Sequence, residues 1–573
     1  MMKKIISIIS ILTIAFTIIC LASNKVSAQT LTPVSFDKNT RYEVSKLYDE
    51  MPNTLEAVIN IDEDFKANGV IFGNQYNKAH QHFIIDAIDF SIFGNGNPRI
   101  GYKLPNGESK EYIFTEANVK LGRDVHVAIV RDSENKLISC YVDGALVQSY
   151  ESDFEDFIPT ELFCIGSDNR TWDSACFNGT IKSLAVYSDA RTQTEILKDK
   201  TSVDVNNNDL LSYYDLTKVY DDKIVDKSGN GYDANKTYLW LNDSGMEFDY
   251  SYSIDIIGDT QMVTYYHPDK LANIYDYIVR NVKRKKTLHV AGVGDITEKS
   301  TNEEWNLALS QINKLNNVVS YSMVRGNHDS VNAFNNIFSN PLYKKQYTDR
   351  YSVGFANTVH EFSSGQLDYL LITLDFGADD KVLEWANKVV EAHPHHNVIV
   401  TTHGYLDHYG GLIDKNYAHK LTGDPSAKNE GIDLWNKFIS KHANITMVFC
   451  GHIGYPDIIL NQMVGENGNI VSQIQVDHQE YEYYNEVTGM IATLYFSEDG
   501  KTVNVEYYSP IKNQYYRARN QFTFNVNTIP RAQSTENVEN DSNTGCNGAV
   551  IASITGISML MCAVFIFRKR KNN

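Results

Sequence analysis

The chain has 573 residues, 42% of them hydrophobic, and a formal charge of −19 from 52 Lys and Arg against 71 Asp and Glu. That length calls for more than one domain, and the hydrophobic share is enough to build sizeable cores. The acidic balance excludes a protein that grips nucleic acid by neutralising many phosphates, and no nucleic-acid-binding signature is present.

Residues 1–4 carry two lysines, residues 5–22 are almost continuously apolar, and Val26-Ser27-Ala28 supplies small residues around a cut. This layout predicts a secretory signal peptide over residues 1–28, cleaved near Ala28, with a retained anchor as the alternative. From about 34 to 200 the chain reads as short strands, for example over 54–61, 82–88, 125–131 and 137–142. They are rich in β-branched and aromatic residues and separated by turns such as Asn95-Gly96-Asn97 and Pro105-Asn106-Gly107. Many short strands with such turns predict an all-β sandwich. Seven cysteines are present, of which Cys140, Cys164, Cys176 and Cys450 fall in the body of the chain. They are too sparse for a disulfide scaffold and form no C-x-x-C zinc pattern. Cys164 and Cys176 bracket a polar loop and can pair in an oxidising exterior.

Phe177, Gly179 and Ile181, followed by Tyr187-Ser188-Asp189-Ala190-Arg191-Thr192, resemble the closing strand of a laminin-G-like (concanavalin-like) jelly roll. The resemblance implies a domain over residues 34–200 that binds a glycan or a surface protein at its rim, or serves as a spacer. Asn206-Asn207-Asn208 and Asp226-Lys227-Ser228-Gly229-Asn230-Gly231 mark a polar connector, expected over 201–247.

Beyond it, over 248–525, apolar strand-like runs alternate with helical patterns, which predicts α/β architecture. Residues 526–548 are rich in Asn, Ser, Thr and Glu and read as a flexible stalk. Residues 549–567 contain no charge and are long enough to span a bilayer, and 568–573 begin with Arg568-Lys569-Arg570-Lys571. A basic stop stays on the cytoplasmic side, so the body is expected outside, attached to the membrane through this helix. The tail resembles the sorting tail of Gram-positive cell-wall proteins, but Ser542-Asn543-Thr544-Gly545 has Thr-Gly without Leu-Pro. A membrane anchor is therefore expected before covalent wall attachment.

Chemistry gathers where the strand-like runs of the α/β region end. Gly258-Asp259-Thr260-Gln261, Gly294-Asp295, Gly326-Asn327-His328-Asp329, His403-Gly404 and Gly451-His452 each follow such a run. Open α/β sheets place their sites at the carboxyl ends of strands, and each potential metal ligand has a glycine beside it. The order D-x-Q, G-D, G-N-H-D, H-G, G-H is similar to that of the calcineurin-like metallophosphoesterases, over residues from about 250 to 525. The resemblance implies a four-layer αββα domain that hydrolyses phosphate mono- or diesters with two divalent metals (manganese, iron or zinc) and the hydroxide they generate. It implies that Asp259 and Gln261 bind the first metal, Asp295 bridges both, and Asn327, His403 and His452 bind the second. His328 would act on the leaving group, with Asp329 orienting it. Mixed carboxylate, amide and imidazole donors without thiolate suit those cations, and an uncoordinated histidine can donate a proton.

Two departures fall on the first metal. Gln261 stands where the commonest motif has a histidine, and Gly454 replaces the second histidine of G-H-x-H; His478 is a further candidate ligand. The reading is an extracellular phosphoesterase held at the cell membrane or wall. Its alternative is a surface adhesin whose phosphoesterase domain is weak or inactive. A third reading, a secreted protease or glycosidase, lacks support: neither an H-E-x-x-H helix nor a G-x-S-x-G elbow is present. A loop over 408–424, with Tyr409, Tyr417 and His419, either selects the substrate or is a solvated surface loop.

Overall fold

The computed structural model describes residues 34–531 except 38–39, 63–64, 66–67, 75–86, 107, 168–175, 218, 220–221, 352–353, 408–409, 417–427 and 480–486. The expected signal peptide, membrane helix and basic tail lie outside the described residues, as do Tyr409, Tyr417, His419 and the stalk beyond 531. Among the described residues no helix is long and apolar enough to cross a membrane.

Alternation of apolar and polar residues makes the first domain a sandwich. One sheet runs in spatial order through Ser35–Phe36, Gly179–Tyr187, Thr54–Ile61, Val125–Asp132, Leu137–Val142 and Ala145–Glu151. The facing sheet runs through Lys223–Ile224, Ala234–Thr237, Arg41–Val44, Cys164–Ile165, Gly69–Gly73, Ala87–Ile92, Pro98–Lys103 and Ser109–Ile113. Ile59, Val127, Ile181, Phe72 and Phe90 meet in the shared core. The motif around Arg191 locks the closing strand to the helix Gln193–Asp199. Thr192 and Glu195 form a capping box, Arg191 Nη2 donates to Asp199 Oδ2 at 2.6 Å, and its guanidinium lies 4.4 Å from the Tyr187 ring centre.

The connector expected over 201–247 is largely part of this sandwich. Leu210–Asp215 pairs with Gly179–Tyr187, and Ala234–Thr237 pairs with Arg41–Val44. The polar stretch between them is a tie: one carboxylate, Asp226, accepts the amides of Tyr213, Ser228 and Tyr232 at 2.9–3.1 Å. Cys164 and Cys176 form no disulfide with one another, and Arg41 Nη2 lies 3.1 Å from Cys176 Sγ.

The second domain has two sheets between helical layers. Parallel strands β1 (Tyr252–Ile257), β2 (Thr287–Gly292) and β3 (Ser320–Met323) lie side by side, and Ile491–Phe496 continues their sheet antiparallel to β1. The other sheet contains parallel strands β4 (Asn397–Thr401), β5 (Ile445–Cys450) and β6 (Ile470–Asp477). Period two sorts their side chains. Ile254, Ile256, Ile399, Met447 and Phe449 fill the seam between the sheets. Ile257, Val290 and Tyr321 face helices that include Leu271–Lys285 and Asn302–Ile312, while Val398, Val400 and Val448 face Asp380–Ala392 and Gly431–Lys437. This is the expected αββα stack.

The expected stalk begins later than residue 526. Val526 is buried, the Ile529 amide donates to Asn397 Oδ1 at 2.7 Å, and Arg531 Nε donates to Asp368 Oδ2 at 2.7 Å. The hydrogen bond from Arg531 holds the Asp368 carboxyl down at about 2. Asp368 is thus depressed below a free carboxyl, near 4. The contact favours the fold above that value and fades as pH falls toward 2. A chain ending at Asn525 should melt at lower temperature than one ending at Arg531, and the deficit of Arg531→Ala at pH 7 should narrow on acidification. Equal melting curves at pH 7 would return residues 526–531 to the stalk.

Candidate metal centre

Strands β1 to β6 each lead into one cluster of polar side chains. β1, β2 and β3 are followed by Asp259, Asp295 and Asn327; β4 and β5 by His403 and His452; and β6 ends on Asp477. Two glycines show how tightly the backbone is pressed against the carboxylates. A Cβ on Gly326 would lie 2.0 Å from Asp295 Oδ1, and one on Gly451 would lie 2.1 Å from Asp259 Oδ1. Asp295 and His452 themselves take left-handed backbone, with φ of 45° and 76°, a conformation that costs a non-glycine residue about 1 kcal/mol or more and concentrates at functional sites.

The arrangement around His403 decides what the centre holds. Its Nδ1 donates to the Val293 carbonyl at 2.9 Å, so Nε2 is turned inward. There it lies 3.1 Å from Asp295 Oδ2 and 3.1 Å from Asn327 Oδ1. Three potential ligand atoms therefore meet, and only a proton or a cation between them relieves their mutual repulsion. His452 brings a second imidazole: atoms of Asp295, His403 and His452 that could bind a metal lie within 4.8 Å of one another, and the two rings are 5.0 Å apart. Phe376 packs against both rings, at 5.6 and 5.1 Å.

On the other side of Asp295, Asp259 Oδ2 accepts the His452 amide at 2.9 Å, and Oδ1 has no hydrogen-bond partner. Gln261, fully buried, spends its Nε2 on Asp295 Oδ2 at 3.2 Å and on Gln479 Oε1, which leaves Oε1 unpartnered. A buried polar atom without a partner costs roughly 1–3 kcal/mol. Two such oxygens beside the Asp295 carboxylate fit a divalent cation, as does the donor set as a whole. Burial, then the neighbouring Asp477 and Asp295, pushes Asp259 well above the carboxylate range, and burial raises Asp477 to about 7. Burial also pushes Asp295 up, but His403 and His328 outweigh it and hold that carboxyl below its ordinary value.

The structure thus brings together Asp259, Gln261, Asp295, Asn327, His403 and His452. His328 joins them through its amide, which donates to Asp295 Oδ1 at 2.9 Å. The role expected for Asp329 needs correction. Its carboxylate accepts the amides of Ile296, Thr297 and Gly326 at 3.0–3.2 Å and the Thr297 hydroxyl at 2.8 Å, tying the loop after β2 to the loop after β3. Glu298 takes the orienting place instead: His328 Nδ1 lies 2.9 Å from its carbonyl and 3.1 Å from its carboxylate. His478 points elsewhere, its Nδ1 donating to the Pro456 carbonyl at 3.0 Å and its ring edge-on to Tyr516. Its neighbour Gln479 accepts from Gln261 Nε2 and holds Asp477, so both lie beside the centre. Sequence reasoning missed them because no glycine marks the end of β6, although an apolar strand ending in Asp was the available signal.

Residues 252–456 match the calcineurin-like phosphoesterase family, and residues 38–197 match the concanavalin A-like lectin/glucanases superfamily. The chain therefore carries an N-terminal concanavalin-like domain and a calcineurin-like phosphoesterase domain. The uncharacterized protein YvnB of Bacillus subtilis (strain 168) is 24% identical over 307 residues, which are 50% of this chain and 22% of that protein. This chain thus spans less than a quarter of the length of that relative. Among solved structures, a dimetal phosphatase from Danio rerio is 14% identical, covering 50% of this chain and all of its own, with a TM-score of 0.33. The CBM40 of the Ruminococcus gnavus IT-sialidase, bound to α2,3-sialyllactose, is 16% identical, covering 30% of this chain and 96% of its own, with a TM-score of 0.25.

If Asp329 is a loop tie, Asp329→Ala strands several buried donors and should lower the unfolding free energy by on the order of 3 kcal/mol in a denaturant titration. Unchanged stability with selectively lost turnover would restore the catalytic assignment.

Proposed function

We infer that this chain, with its calcineurin-like phosphoesterase domain, is an exported, metal-dependent enzyme that hydrolyses phosphate mono- or diesters at the Asp295 centre. The observation that carries the reading is the meeting of His403 Nε2, Asp295 Oδ2 and Asn327 Oδ1 at 3.1 Å, with His452 alongside. Asp259, Gln261 and Asp295 would hold one divalent cation, and Asp295, Asn327, His403 and His452 the other. When bound, such a pair supplies Lewis acidity at the phosphoryl group and a nucleophile from water at neutral pH.

The chain's own residues do the rest. The Val293 carbonyl fixes the tautomer of His403, so that its Nε2 lone pair faces inward. Packing of Phe376 on both imidazoles restricts their rotation. His328, about one-third exposed and held at Nδ1 by Glu298, keeps Nε2 for the departing oxygen and donates its proton there. Burial lowers its basicity, but Asp295 and Glu298 outweigh burial and hold the proton to higher pH.

Residues 1–28 and 549–573 support export and an outward-facing body, at the cell membrane or wall. The sandwich would hold the enzyme to a glycan or a surface protein. Its superfamily includes lectins, and a cavity of about 310 Å³ lined by Asp49, Glu50, Asn53, Asp156 and Ser188 offers polar groups to such a ligand. The intact set of Asp295, Asn327, His328, His403 and His452 weighs against an adhesin with a decayed centre.

The test is hydrolysis of a chromogenic phosphodiester and its matching monoester with added Mn²⁺. His328→Ala should lower kcat about a hundredfold or more while bound metal is unchanged, and Asn327→Ala should lose both metal and turnover. Failure to cleave either ester with Mn²⁺, Fe²⁺ or Zn²⁺ would refute the reading. Glu298→Gln removes a carboxylate that raises His328, so the alkaline limb of the rate profile should move to lower pH; an unmoved limb would detach Glu298 from the proton donor.

A further inference from the structure

We propose that Asp477 is a ligand of the first cation, and that this half of the centre is an all-oxygen site for a hard divalent ion, Mg²⁺ or Mn²⁺. The inference rests on the phosphoesterase reading of the same centre.

Two imidazoles are missing from this half, at Gln261 and Gly454, and β6 supplies what replaces them. β6 lies parallel to β5, with Gln475 opposite Cys450. It runs two residues further before ending, so Asp477 comes level with the Gly451-His452 turn. There the backbone of β6 abuts the segment carrying Asp259: a Cβ on Gly258 would lie 2.8 Å from the Val476 carbonyl oxygen. Asp259 and Asp477 are both buried, and two buried carboxyls brought to one place need a proton or a cation to offset their repulsion. Asp259 Oδ1 and Gln261 Oε1, both buried and without hydrogen-bond partners, are two further oxygens at the same place.

Gln479 is the strut that fixes this set. Its backbone amide donates to Asp477 Oδ1 at 3.0 Å and its Nε2 to Asp477 Oδ2 at 2.9 Å, while its Oε1 accepts from Gln261 Nε2. One side chain thus holds the Asp477 carboxylate and turns the oxygen of Gln261 away from itself. Each Asp477 oxygen accepts one hydrogen bond of the two its lone pairs allow, so lone pairs remain for a cation.

The resulting donors are Asp259, Asp295 and Asp477 carboxylates and the Gln261 amide, with no nitrogen among them. Carboxylate and carbonyl oxygens favour Mg²⁺ and Mn²⁺, whereas the imidazoles of His403 and His452 favour zinc or iron. The two halves of the centre therefore differ in hardness, and the chain is built for two different ions.

Metal content decides the matter without reference to turnover. The full chain is stripped with chelator, titrated calorimetrically with Mn²⁺, and then assayed for bound metal. The wild type should bind two equivalents. Asp477→Asn, nearly isosteric, should bind one, with unchanged melting of the metal-free protein. Gln479→Ala should weaken the same event about tenfold or more, and His403→Ala should remove the other event. In a mixture of Zn²⁺ and excess Mg²⁺, the Asp477→Asn protein should retain its zinc. Two undiminished Mn²⁺ equivalents in Asp477→Asn overturn the assignment and leave the phosphoesterase reading standing. A wild type that binds one ion, lost only with His403→Ala, also overturns it. A wild type that binds none brings down both.

Discussion

A carboxylate at 1% exposure, Asp295, is the charge around which the second domain is arranged. An ionised group cannot stay at such depth without partners, and its partners come from several strands. The His328 amide and Gln261 Nε2 donate to it, and His403 Nε2 faces it. To reach them its backbone turns left-handed, and Gly326 leaves out the side chain that would strike its oxygen. Moving this one residue would leave His403, Gln261 and the β3 loop without the atom that defines their positions.

Support for that charge lies one layer out. Asp329 accepts three backbone amides from two loops, and so fixes the spacing between the segment carrying Asp295 and the segment carrying Asn327 and His328. Gln479 does the corresponding work on the far side, between Gln261 and Asp477. Neither touches the position where a substrate would react; both decide where the groups that do are found. Glu298 belongs to the same class, aligning His328 rather than reacting.

Local rules carried a large part of this into the sequence. Strands ending in Gly-Asp, Gly-Asn-His or Gly-His announced themselves because a tight turn after an apolar run needs glycine, and Asp295, Asn327 and His403 do come together, with His452 alongside. The sandwich was legible from turns and alternation for the same reason. What escaped depended on contacts distant in sequence. Asp477 ends a strand without a glycine, and its importance comes from the extra length of β6 relative to β5. Asp329 sits inside a motif that suggests chemistry, yet its backbone partners 30 residues away make it a tie. The stretch over 201–247 hid short strands such as Leu210–Asp215 and Ala234–Thr237 behind Asn- and Gly-rich turns, because so few residues carry too little periodicity to outweigh such punctuation. The stalk misled in the same way: Asn, Thr and Pro conceal the burial of Val526 and the anchoring of Ile529 and Arg531 on the sheet that holds β4.

The strand ends that meet at the centre divide evenly between the two sheets: Asp259, Asp295 and Asn327 from one, His403, His452 and Asp477 from the other. The seam between those sheets is held largely by apolar packing, with the Tyr252–Tyr369 hydroxyl pair and the Arg517–Asp457 ion pair across it. Cations gripped from both sides would act there as rivets, converting a greased interface into a pinned joint. By mass action their occupancy adds to the stability of the whole domain, because an unfolded chain offers no such grip. The ambient concentration of divalent ions would then set mechanical stiffness along with the catalytic competence proposed for the centre, and their depletion would loosen the domain along one defined plane.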